Sequence, residues 1–525
     1  MRRRDVLKSA VAGTVALAAP RVGRAQANRL LKFTPHADLA SLDPVWTTAD
    51  ISRNYSLAVL DTLFGIDAKF QVQHQMLAGH TVSADGKQWD LTLRDGLKFH
   101  DGTPVLARDC VATLKRVGKR EPLNQALAAR IDEMTAPNDK TISIRLKKPF
   151  ALLPDALAQY QTGIMPERLA STDAFTEVKE SVGSGPFRFV TGERVPGSLV
   201  VYERFKDYVP RADGAPSFTA GPKIANLDRV EWQFIPDPQT VASALTNKEI
   251  DWWENPALDL VPSLRKKSDL TIRVTDITGE IGCIRFNQLQ PPFDNPAIRR
   301  VVMKAVDQRE YMEAIAGAEP SLIKTDVGIF VPGTTLASTV GVEVTRGPKD
   351  FAKLKQELAA AGYKGEKIVL LGATTIPTIH AASEVVADML QKIGFNVDYQ
   401  ALDWVTVVTR RASKEPIDKG GWNIFITYLG GTGNVTPATD IAIRGNGAAA
   451  WFGWPTIPKM EELRDAWFEA PDVATQKKLC EEMQKVYFEA VPYVALGMYD
   501  GPTAYHTYLT DIRDGYPQFY GLKKG

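Results

Sequence analysis

The sequence predicts an α/β protein of more than one domain, because two strand–helix–strand units can be read in a long chain. In the first unit, an alternating strand over 229–235 is followed by a helix over 239–247 and a strand over 250–253. In the second, a buried-strand run over 367–371 precedes an apolar helical stripe over 382–393 and an alternating strand over 395–399. This second unit is typical of a right-handed crossover between parallel strands. A chain of 525 residues also exceeds what one hydrophobic core supports, so we expect two or three domains.

The N-terminus has the three parts of an export signal. Arg2, Arg3 and Arg4 precede an uncharged, Ala/Val-rich run over 9–20, and Ala25-Gln26-Ala27 is a small-x-small cleavage site. The apolar run is shorter than the roughly 20 residues that cross a bilayer, and Arg3-Arg4 is typical of a twin-arginine signal. Residues 1–27 are therefore predicted to be a twin-arginine signal peptide, and the mature protein is predicted to be periplasmic.

Charge and cysteine content narrow the class of protein further. Without residues 1–27 the chain has 57 basic and 61 acidic residues, a net charge of −4, so it lacks the basic excess expected of a nucleic-acid or anionic-membrane binder. The three cysteines, Cys110, Cys283 and Cys480, are far apart and odd in number, which does not indicate a disulfide framework. Cys110 lies on an apolar helix face and is predicted to be a small buried hydrophobe.

No motif in the chain indicates catalysis, a resident metal or a cofactor. None of the six histidines forms a short pair at zinc spacing. Ser184 lacks the glycine spacing of a nucleophile elbow, and Gly431-Thr432-Gly433 lacks the third glycine of a dinucleotide fingerprint. We therefore predict no catalytic residue, no metal ligand and no cofactor.

The most informative stretch is 76–116. Apolar residues alternate over 89–93 and again over 97–99, and the Asp95-Gly96 turn between them predicts a hairpin. Thr103 is predicted to cap the following helix, with Pro104 at its first position. The helix should then bury one apolar face, formed by Ala107, Cys110, Leu114 and Val117.

In their order these pieces resemble the signature of the peptide/nickel-type, or family 5, extracytoplasmic solute-binding proteins of ABC transporters. Later segments resemble further family motifs in the same order. These segments are 182–187, 235–251, 286–307 and 358–363. The resemblance extends from about residue 38 to the C-terminus.

The resemblance implies a two-lobed periplasmic-binding-protein clamp with mixed sheets and an inserted third subdomain. The first lobe (lobe I) would be discontinuous, built from 28–71, 183–278 and 489–525. The inserted subdomain (subdomain II) would be 72–182, and the other lobe (lobe III) would be 279–488. Two chain crossings near 279 and 488 would form the hinge.

The function implied by the resemblance is that of the periplasmic substrate-binding component of an ABC importer, which is not an enzyme. It would capture a small solute, peptide-like or another small organic molecule, by closure of the lobes. Its partners would be this small-molecule ligand and an inner-membrane ABC permease complex, with no nucleic acid, and we expect a monomer. Two alternatives stay open at this point: a secreted hydrolase on a two-lobed scaffold, and a ligand-loaded partner of a chemoreceptor.

Three segments carry polar and aromatic residues suited to a cleft between domains. The first follows an early strand, the second follows the parallel strand 395–401, and the third follows the strand 422–427. The candidate ligand-binding residues are Trp46, Thr47, Thr48, Trp404, Arg411, Tyr428, Gly430, Gly431 and Thr432. The structural alternatives are core packing for the two tryptophans, a solvated helix face for Arg411 and a tight turn for the glycines.

One departure from the family pattern bears on the ligand. Peptide-binding members share an Arg in the strand corresponding to 422–427 and, soon after it, an Asp that pairs with the peptide ammonium. This chain has Ile426 and Thr432 there, with Asp440 eight residues on. A buried ammonium without a carboxylate costs on the order of 3–5 kcal/mol. A neutral, sugar-like or carboxylate-bearing solute is therefore at least as plausible as a peptide, and a metal chelate stays open.

Overall fold

The structure is a computed structural model that describes residues 29–276, 278–317, 319–470 and 472–525. The predicted signal peptide, residues 1–27, lies outside the described residues. None of the helices in these ranges is both long enough and apolar enough to cross a membrane.

The strands of the described residues fall into three main sheets and two short pairs. In chain order the strands are β1 (Leu30–Thr34), β2 (Phe64–Ile66), β3 (Val72–His74), β4 (Leu77–Val82), β5 (Gln88–Leu93), β6 (Ile131–Thr135), β7 (Thr141–Leu146), β8 (Phe187–Phe189), β9 (Leu199–Arg204), β10 (Arg229–Gln233), β11 (Trp252–Trp253), β12 (Leu270–Val274), β13 (Glu280–Phe286), β14 (Ile323–Lys324), β15 (Lys367–Ala373), β16 (Asn396–Leu402), β17 (Ile424–Gly430), β18 (Tyr493–Tyr499), β19 (Pro502–His506), β20 (Leu509–Thr510) and β21 (Lys523–Lys524).

The α-helices pack around these sheets. In chain order they are α1 (Asp50–Val59), α2 (Ala107–Val117), α3 (Pro122–Arg130), α4 (Leu153–Ala156), α5 (Glu167–Ala170), α6 (Pro238–Thr246), α7 (Val261–Leu264), α8 (Pro296–Ala305), α9 (Gln308–Ala316), α10 (Phe351–Ala360), α11 (Pro377–Lys392), α12 (Trp404–Arg410), α13 (Pro458–Phe468) and α14 (Val473–Ala490).

The seven-stranded sheet draws on distant parts of the chain. Its order is β12-β19-β11-β1-β10-β9-β8, with β1 central and parallel to both β10 and β11. The other pairings are antiparallel. Phe33 of β1 packs against the rings of Trp232, Trp252 and Phe519, at centroid distances of 5.0 to 5.9 Å. Aromatic packing of this kind ties the first strand to the C-terminal segment.

The six-stranded sheet, in the order β14-β18-β13-β17-β15-β16, contains the predicted crossover. β15 and β16 pair in parallel from Lys367 opposite Asn396 to Ala373 opposite Leu402, and α11 connects them. The prediction of parallel strands here is confirmed. β18 also belongs to this sheet through its pairing with β13, and the chain returns to the seven-stranded sheet at β19.

A four-stranded antiparallel sheet, β4-β5-β7-β6, lies entirely within 77–146. With two mixed sheets and this smaller one, the α/β class with mixed sheets is confirmed.

The predicted hairpin over 89–93 and 97–99 is wrong. β5 pairs instead with β4 and β7, and the 97–99 segment folds against 103–105 through hydrogen bonds such as Phe99 N to Thr103 O at 2.8 Å. Thr103 therefore lies in a turn, where its hydroxyl donates to Asp101, and it does not cap the helix. The helix begins at Ala107, and the Asp109 carboxylate accepts the Leu106 N–H at 2.8 Å.

The three cysteines are buried, and within the described residues their thiols are free. The burial of Cys110 confirms the prediction that it is a small buried hydrophobe.

A candidate binding site between the two large sheets

A cavity of about 260 Å³, here called the central cavity, lies where the ends of the two large sheets face each other. One wall comes from α1 and the seven-stranded sheet, including Asp50, Trp252 and Thr503. The opposite wall comes from the six-stranded sheet, including Glu280, Tyr428 and Tyr499, and the 77–182 region adds a third side. The cavity is therefore built by segments that are far apart in sequence.

Six of the nine predicted site residues line the central cavity. They are Thr48, Trp404, Arg411, Tyr428, Gly430 and Thr432. Trp46 lines a second cavity of about 290 Å³, here called the side cavity. The two cavities share lining residues, namely Thr48, Glu121, Gln161, Ile441 and Trp451. Thr47 and Gly431 line neither cavity.

Thr47 and Gly431 hold neighbouring groups in place. Thr47 is buried, and its hydroxyl accepts a hydrogen bond of 3.4 Å from Arg411. Gly431 donates its N–H to the Gly279 carbonyl at 2.7 Å, and a Cβ there would lie 1.9 Å from the Thr278 carbonyl oxygen. Glycine is therefore required where the end of β17 passes the segment leading into β13.

The loop that carries Trp46, Thr47 and Thr48 is fixed by one buried carboxylate. Asp43 accepts the N–H groups of Val45 and Trp46 at 3.0 and 3.2 Å. It also forms a two-pronged ion pair with Arg116 of α2, at 2.9 and 2.6 Å. This pair is fully buried, so the loop is held by charge-assisted hydrogen bonds before α1 begins.

Arg411 follows α12 directly and is 1% exposed, so it does not lie on a solvated helix face. Its guanidinium carbon lies 4.9 to 5.7 Å from the ring centroids of Trp404, Phe425 and Phe452. Its hydrogen bond to Thr47 is weak, its Nε atom has no partner, and no carboxylate pairs with it in the part of the chain that the structure describes. Burial lowers the pKa of Arg411 to about 10, against the opposing effect of Asp50.

Trp404 and Tyr428 provide aromatic surface. Trp404 begins α12 immediately after β16 and is 6% exposed. Tyr428 packs edge-on against Tyr499, with centroids 5.1 Å apart, and donates its hydroxyl to the Thr378 carbonyl at 3.3 Å. The end of a parallel strand thus carries Trp404 to the cavity, as the sequence position after 395–401 suggested.

The cavity also contains five carboxylates that the sequence reasoning missed. They are Asp50, Glu121, Glu254, Asp276 and Glu280. They come from separate segments of the chain, so no local spacing marks them as a group. The cationic side chains on the same lining are Arg53 and Arg411, together with His36.

Four of these carboxylates have partners. Asp50 pairs with Arg53 at 2.8 Å, and Glu254 pairs with the His36 ring at 2.7 Å and accepts from Asn54 at 2.7 Å. Glu121 and Asp276 accept hydrogen bonds from backbone N–H groups close by in sequence. Burial alone would lower the pKa of His36, but the Glu254 carboxylate outweighs it and raises that pKa.

Glu280 is the exception. Among the described residues its carboxylate has neither a hydrogen-bond donor nor an ion-pair partner, although it lines the cavity. Burial and the neighbouring Asp50 charge raise the pKa of Glu280 well above its ordinary value, against the opposing charge of Arg53. The site therefore contains a carboxylate that nothing in the described chain neutralises.

Asp440 does not substitute for the missing family aspartate at the cavity. It is 1% exposed and does not line the cavity, and it accepts the N–H groups of Ala442 and Ile443 at 2.8 and 3.3 Å. Burial raises the pKa of Asp440 to about 7. Its role in this structure is to hold its own loop.

Polar contacts join the two walls around the cavity. The Trp451 indole N–H donates to the Thr48 hydroxyl at 3.0 Å. Glu469, which follows α13, pairs with Arg130 at 2.9 Å and with Lys148 at 2.6 Å, and so joins this part of the chain to the 77–182 region. Segments from both sides of the cavity are therefore in direct contact.

Comparisons with known proteins agree with this architecture. The model of the protein family described as "Bacterial extracellular solute-binding proteins, family 5 Middle" matches residues 71–448. A relative from Sinorhizobium fredii, named "Probable peptide ABC transporter periplasmic-binding protein y4tO", is 37% identical over 515 residues, which is 97% of each chain.

Two solved structures are similar in fold. One is the periplasmic binding protein AgaA from A. tumefaciens R10 in complex with agropinic acid, with a TM-score of 0.79 and 21% identity over 94% of this chain and 99% of that one. The other is the periplasmic binding protein DppA from Helicobacter pylori in complex with the peptide STSA, with a TM-score of 0.77 and 20% identity over 94% and 98%.

These matches confirm the predicted two-lobed periplasmic-binding-protein fold. The chain therefore belongs to the family 5 bacterial extracellular solute-binding proteins, which act outside the cytoplasm as solute-binding components of ABC transporters and are not enzymes.

Proposed function

We propose that this protein is the periplasmic receptor of an ABC importer, and that it binds a small organic solute with an anionic group, such as a carboxylate, in the central cavity. The solute leaves the receptor chemically unchanged. The protein acts as a monomer, does not bind nucleic acid, and delivers the solute to an inner-membrane permease complex.

Arg411 is the single observation that carries this proposal. A buried guanidinium without a carboxylate partner is costly, because its charge has left water without a compensating charge nearby. Arg411 is 1% exposed and lines the cavity. A carboxylate on the solute would supply two oxygens that match the guanidinium fork.

The other predicted residues take complementary roles in the proposal. Trp404 and Tyr428 supply apolar walls, while Thr48, Gly430 and Thr432 offer hydroxyl and backbone groups. Thr47 positions Arg411, and Gly431 keeps the end of β17 against the start of β13. Trp46 lies in the side cavity, which serves as an extension of the site. Pockets with aromatic walls and a few fixed polar groups are typical of small-molecule sites.

The known relatives give independent support for an anionic solute. The relative y4tO is named for a peptide transporter, and the two structures contain agropinic acid and a peptide. A peptide with a free C-terminus and an organic acid both carry a carboxylate. The shared chemical group is therefore the one that Arg411 would bind.

We further propose that closure brings together lobe I and lobe III, and that subdomain II packs against lobe I. The C-terminal part of lobe I would begin at β19, so that β18, which lies within the predicted 489–525, belongs to lobe III. The second crossing is better put at 500–501, because β18 pairs within the six-stranded sheet and β19 within the seven-stranded one. A solute that touches both lobes stabilises the closed state by the additional interactions that it makes in that state. Residues 1–27, read as a twin-arginine signal peptide, support periplasmic localisation.

The test begins with the solute that remains bound through purification, released by denaturation and identified by mass spectrometry. Its affinity is then measured by isothermal titration calorimetry for the wild type, Arg411→Gln and Arg410→Gln. We expect Arg411→Gln to weaken binding by about 100-fold, because it removes one partner of a buried charge pair.

Arg410→Gln is the matched control. It removes the same charge from the neighbouring residue, whose guanidinium contacts Gln400 and the Gly421 carbonyl outside the cavity, so affinity should stay within about twofold. A retained solute without an anionic group, or equal affinities of the wild type and Arg411→Gln, would contradict the proposal.

A further inference from the structure

We propose that Glu280 recognises a protonated amine of the solute, so that the receptor selects zwitterionic amino compounds whose anionic end binds Arg411. This inference rests on the proposed function and deepens it by naming the substrate class. It adds an acidic anchor that the sequence reasoning did not single out.

The position of Glu280 suits a recognition residue. It is the first residue of β13, paired in register with Gly430 on one side and Tyr499 on the other. All three residues line the central cavity. Gly430 brings this end of β17 against α1: a Cβ at Gly430 would be in van der Waals contact with Arg53, at 3.5 Å, and with Asp50, at 3.8 Å. Glu280 therefore begins its strand beside the charged first turn of α1.

The neighbouring cation, Arg53, makes no hydrogen bond to Glu280 in this structure. Arg53 donates to Asp50 at 2.8 Å and to Asn54 at 3.4 Å, and its guanidinium lies 3.8 Å from the ring centroid of Tyr516. The hydrogen bonds of its two terminal nitrogens go to residues of α1, and its buried Nε atom has no partner among the described residues. When Glu280 is ionised, it and the Asp50–Arg53 pair together carry a net negative charge at this end of the cavity.

A ligand ammonium would compensate that charge. Its three N–H groups need oxygen acceptors, and the Glu280 carboxylate has free acceptor capacity, since no described residue donates to it. Without a cation, burial favours the neutral carboxyl, which agrees with the raised pKa of Glu280. Tyr428 and Tyr499, which also line the cavity, add aromatic surface beside Glu280.

The two charged anchors lie at separate points of the site. Arg411 approaches Phe425 of β17, whereas Glu280 is opposite Gly430 at the end of that strand. A solute with an ammonium at one end and a carboxylate at the other can neutralise both anchors at once. A purely cationic solute would leave the buried Arg411 charge unpaired, and a purely anionic solute would leave the Glu280 carboxyl without a partner, so each is disfavoured relative to a zwitterion.

The first experiment uses the low-molecular-mass fraction of a bacterial extract as the probe. One half of the fraction is acetylated to block amines, and the components captured by immobilised protein are identified by mass spectrometry. The wild type should capture components with a free amine and a carboxylate, and acetylation should reduce their capture by about 100-fold. Glu280→Gln should lose the same components, whereas Arg410→Gln should retain them.

Several results would overturn the assignment of Glu280. The assignment fails if the wild type captures the same components from the acetylated and the untreated halves. It also fails if Glu280→Gln still prefers components with a free amine, or if no zwitterion is captured. If the wild type captures acids that contain no basic nitrogen and Arg411→Gln loses them, the assignment of Glu280 as the amine-binding residue is wrong, while the proposed receptor function stands. If neither substitution changes the captured components, the proposed site in the central cavity fails as well.

The second readout is the thermal stability of the ligand-free protein. Glu280→Gln should raise the melting temperature, since it removes an unpaired and partly desolvated charge that faces Asp50, Arg53, Asp276 and Glu254. The folded-state pKa is raised, so the cost of ionised Glu280 appears as the pH rises above its ordinary 4.5. The advantage of Glu280→Gln should grow with pH.

Glu254→Gln is the control for this readout, because it breaks an existing pair with His36 and should lower the melting temperature. A purely structural Glu280 would behave like Glu254. A fall in melting temperature for Glu280→Gln would therefore overturn the inference independently of any ligand.

Discussion

At the scale of single residues, the site combines satisfied charges with two that lack a partner. Asp43–Arg116 is a buried pair with good hydrogen bonds that holds the loop carrying Trp46, Thr47 and Thr48. Arg411 and Glu280 line the cavity without such partners among the described residues. An ionisable group without a partner is energetically unfavourable, and natural proteins retain such groups mainly at functional sites.

Arg411 and Glu280 also show what sequence alone could and could not reveal. Arg411 could be singled out because it follows a predicted parallel strand by one short helix. Glu280 begins a buried strand, and nothing in its local sequence indicates that Asp50, some 230 residues earlier, lies nearby. Contacts between side chains of distant segments have no local signature in the sequence. The place of Glu280 in the cavity, close to Asp50, was therefore not predictable.

The His36–Glu254 pair gives a prediction for pH dependence. The raised pKa of His36 means that its contribution to stability is complete below its ordinary 6.5 and is lost as the pH rises through the folded-state pKa. Glu254, whose pKa is lowered by His36 against the effect of burial, contributes above its ordinary 4.5 and loses this contribution at lower pH. His36→Gln should therefore destabilise most, by about 1–2 kcal/mol, between pH 4.5 and 6.5.

Chemical denaturation of wild type and His36→Gln across this pH range checks the prediction. His100→Gln is the control, because burial lowers the pKa of His100 to about 4, so that its ring is mainly neutral over the same range. A destabilisation by His36→Gln that is equally large at alkaline pH would show that the ring is not charged in the folded protein.

At the scale of secondary-structure elements, the site is made by strand ends and helix starts. β13, β17 and β18 end or begin at the cavity, α12 follows β16 there, and α1 closes it from the other side. The strand–helix–strand order of β15, α11 and β16 was predictable, since apolar periodicity is a local property. The pairing of β5 with β7 was not, because the two strands lie about 50 residues apart.

Two polar contacts, one at the cavity and one away from its lining, should contribute differently to solute binding. The Trp451–Thr48 hydrogen bond lies at the cavity, so Thr48→Val should weaken solute binding by roughly five- to tenfold, the effect of one hydrogen bond. The Glu469 side chain is 51% exposed, and exposed ion pairs contribute little. Glu469→Gln should therefore change affinity by less than about twofold.

Titration calorimetry with the retained solute at low and high salt separates these contributions. The effect of Glu469→Gln should vanish at high salt, because exposed charges are screened, and that of Thr48→Val should persist. Equal effects of the two substitutions would contradict this prediction, because the exposed Glu469 ion pairs would then matter for solute binding as much as the hydrogen bond at the cavity.

At the scale of the whole molecule, the two large sheets place one cavity between walls drawn from the entire chain. The overall class and the family could be predicted because their motifs are spread in order along the sequence. The solute could not, since its recognition depends on charges that meet only in the folded chain. Closure around a zwitterion accounts for both unpaired anchors with a single ligand.

A crystal structure of the protein with its retained solute tests this account most directly. The account predicts electron density for the solute in the central cavity, with an anionic group within hydrogen-bond distance of Arg411 and an amine within hydrogen-bond distance of Glu280. A solute bound outside this cavity, or bound in it without contact to Arg411, would contradict the account.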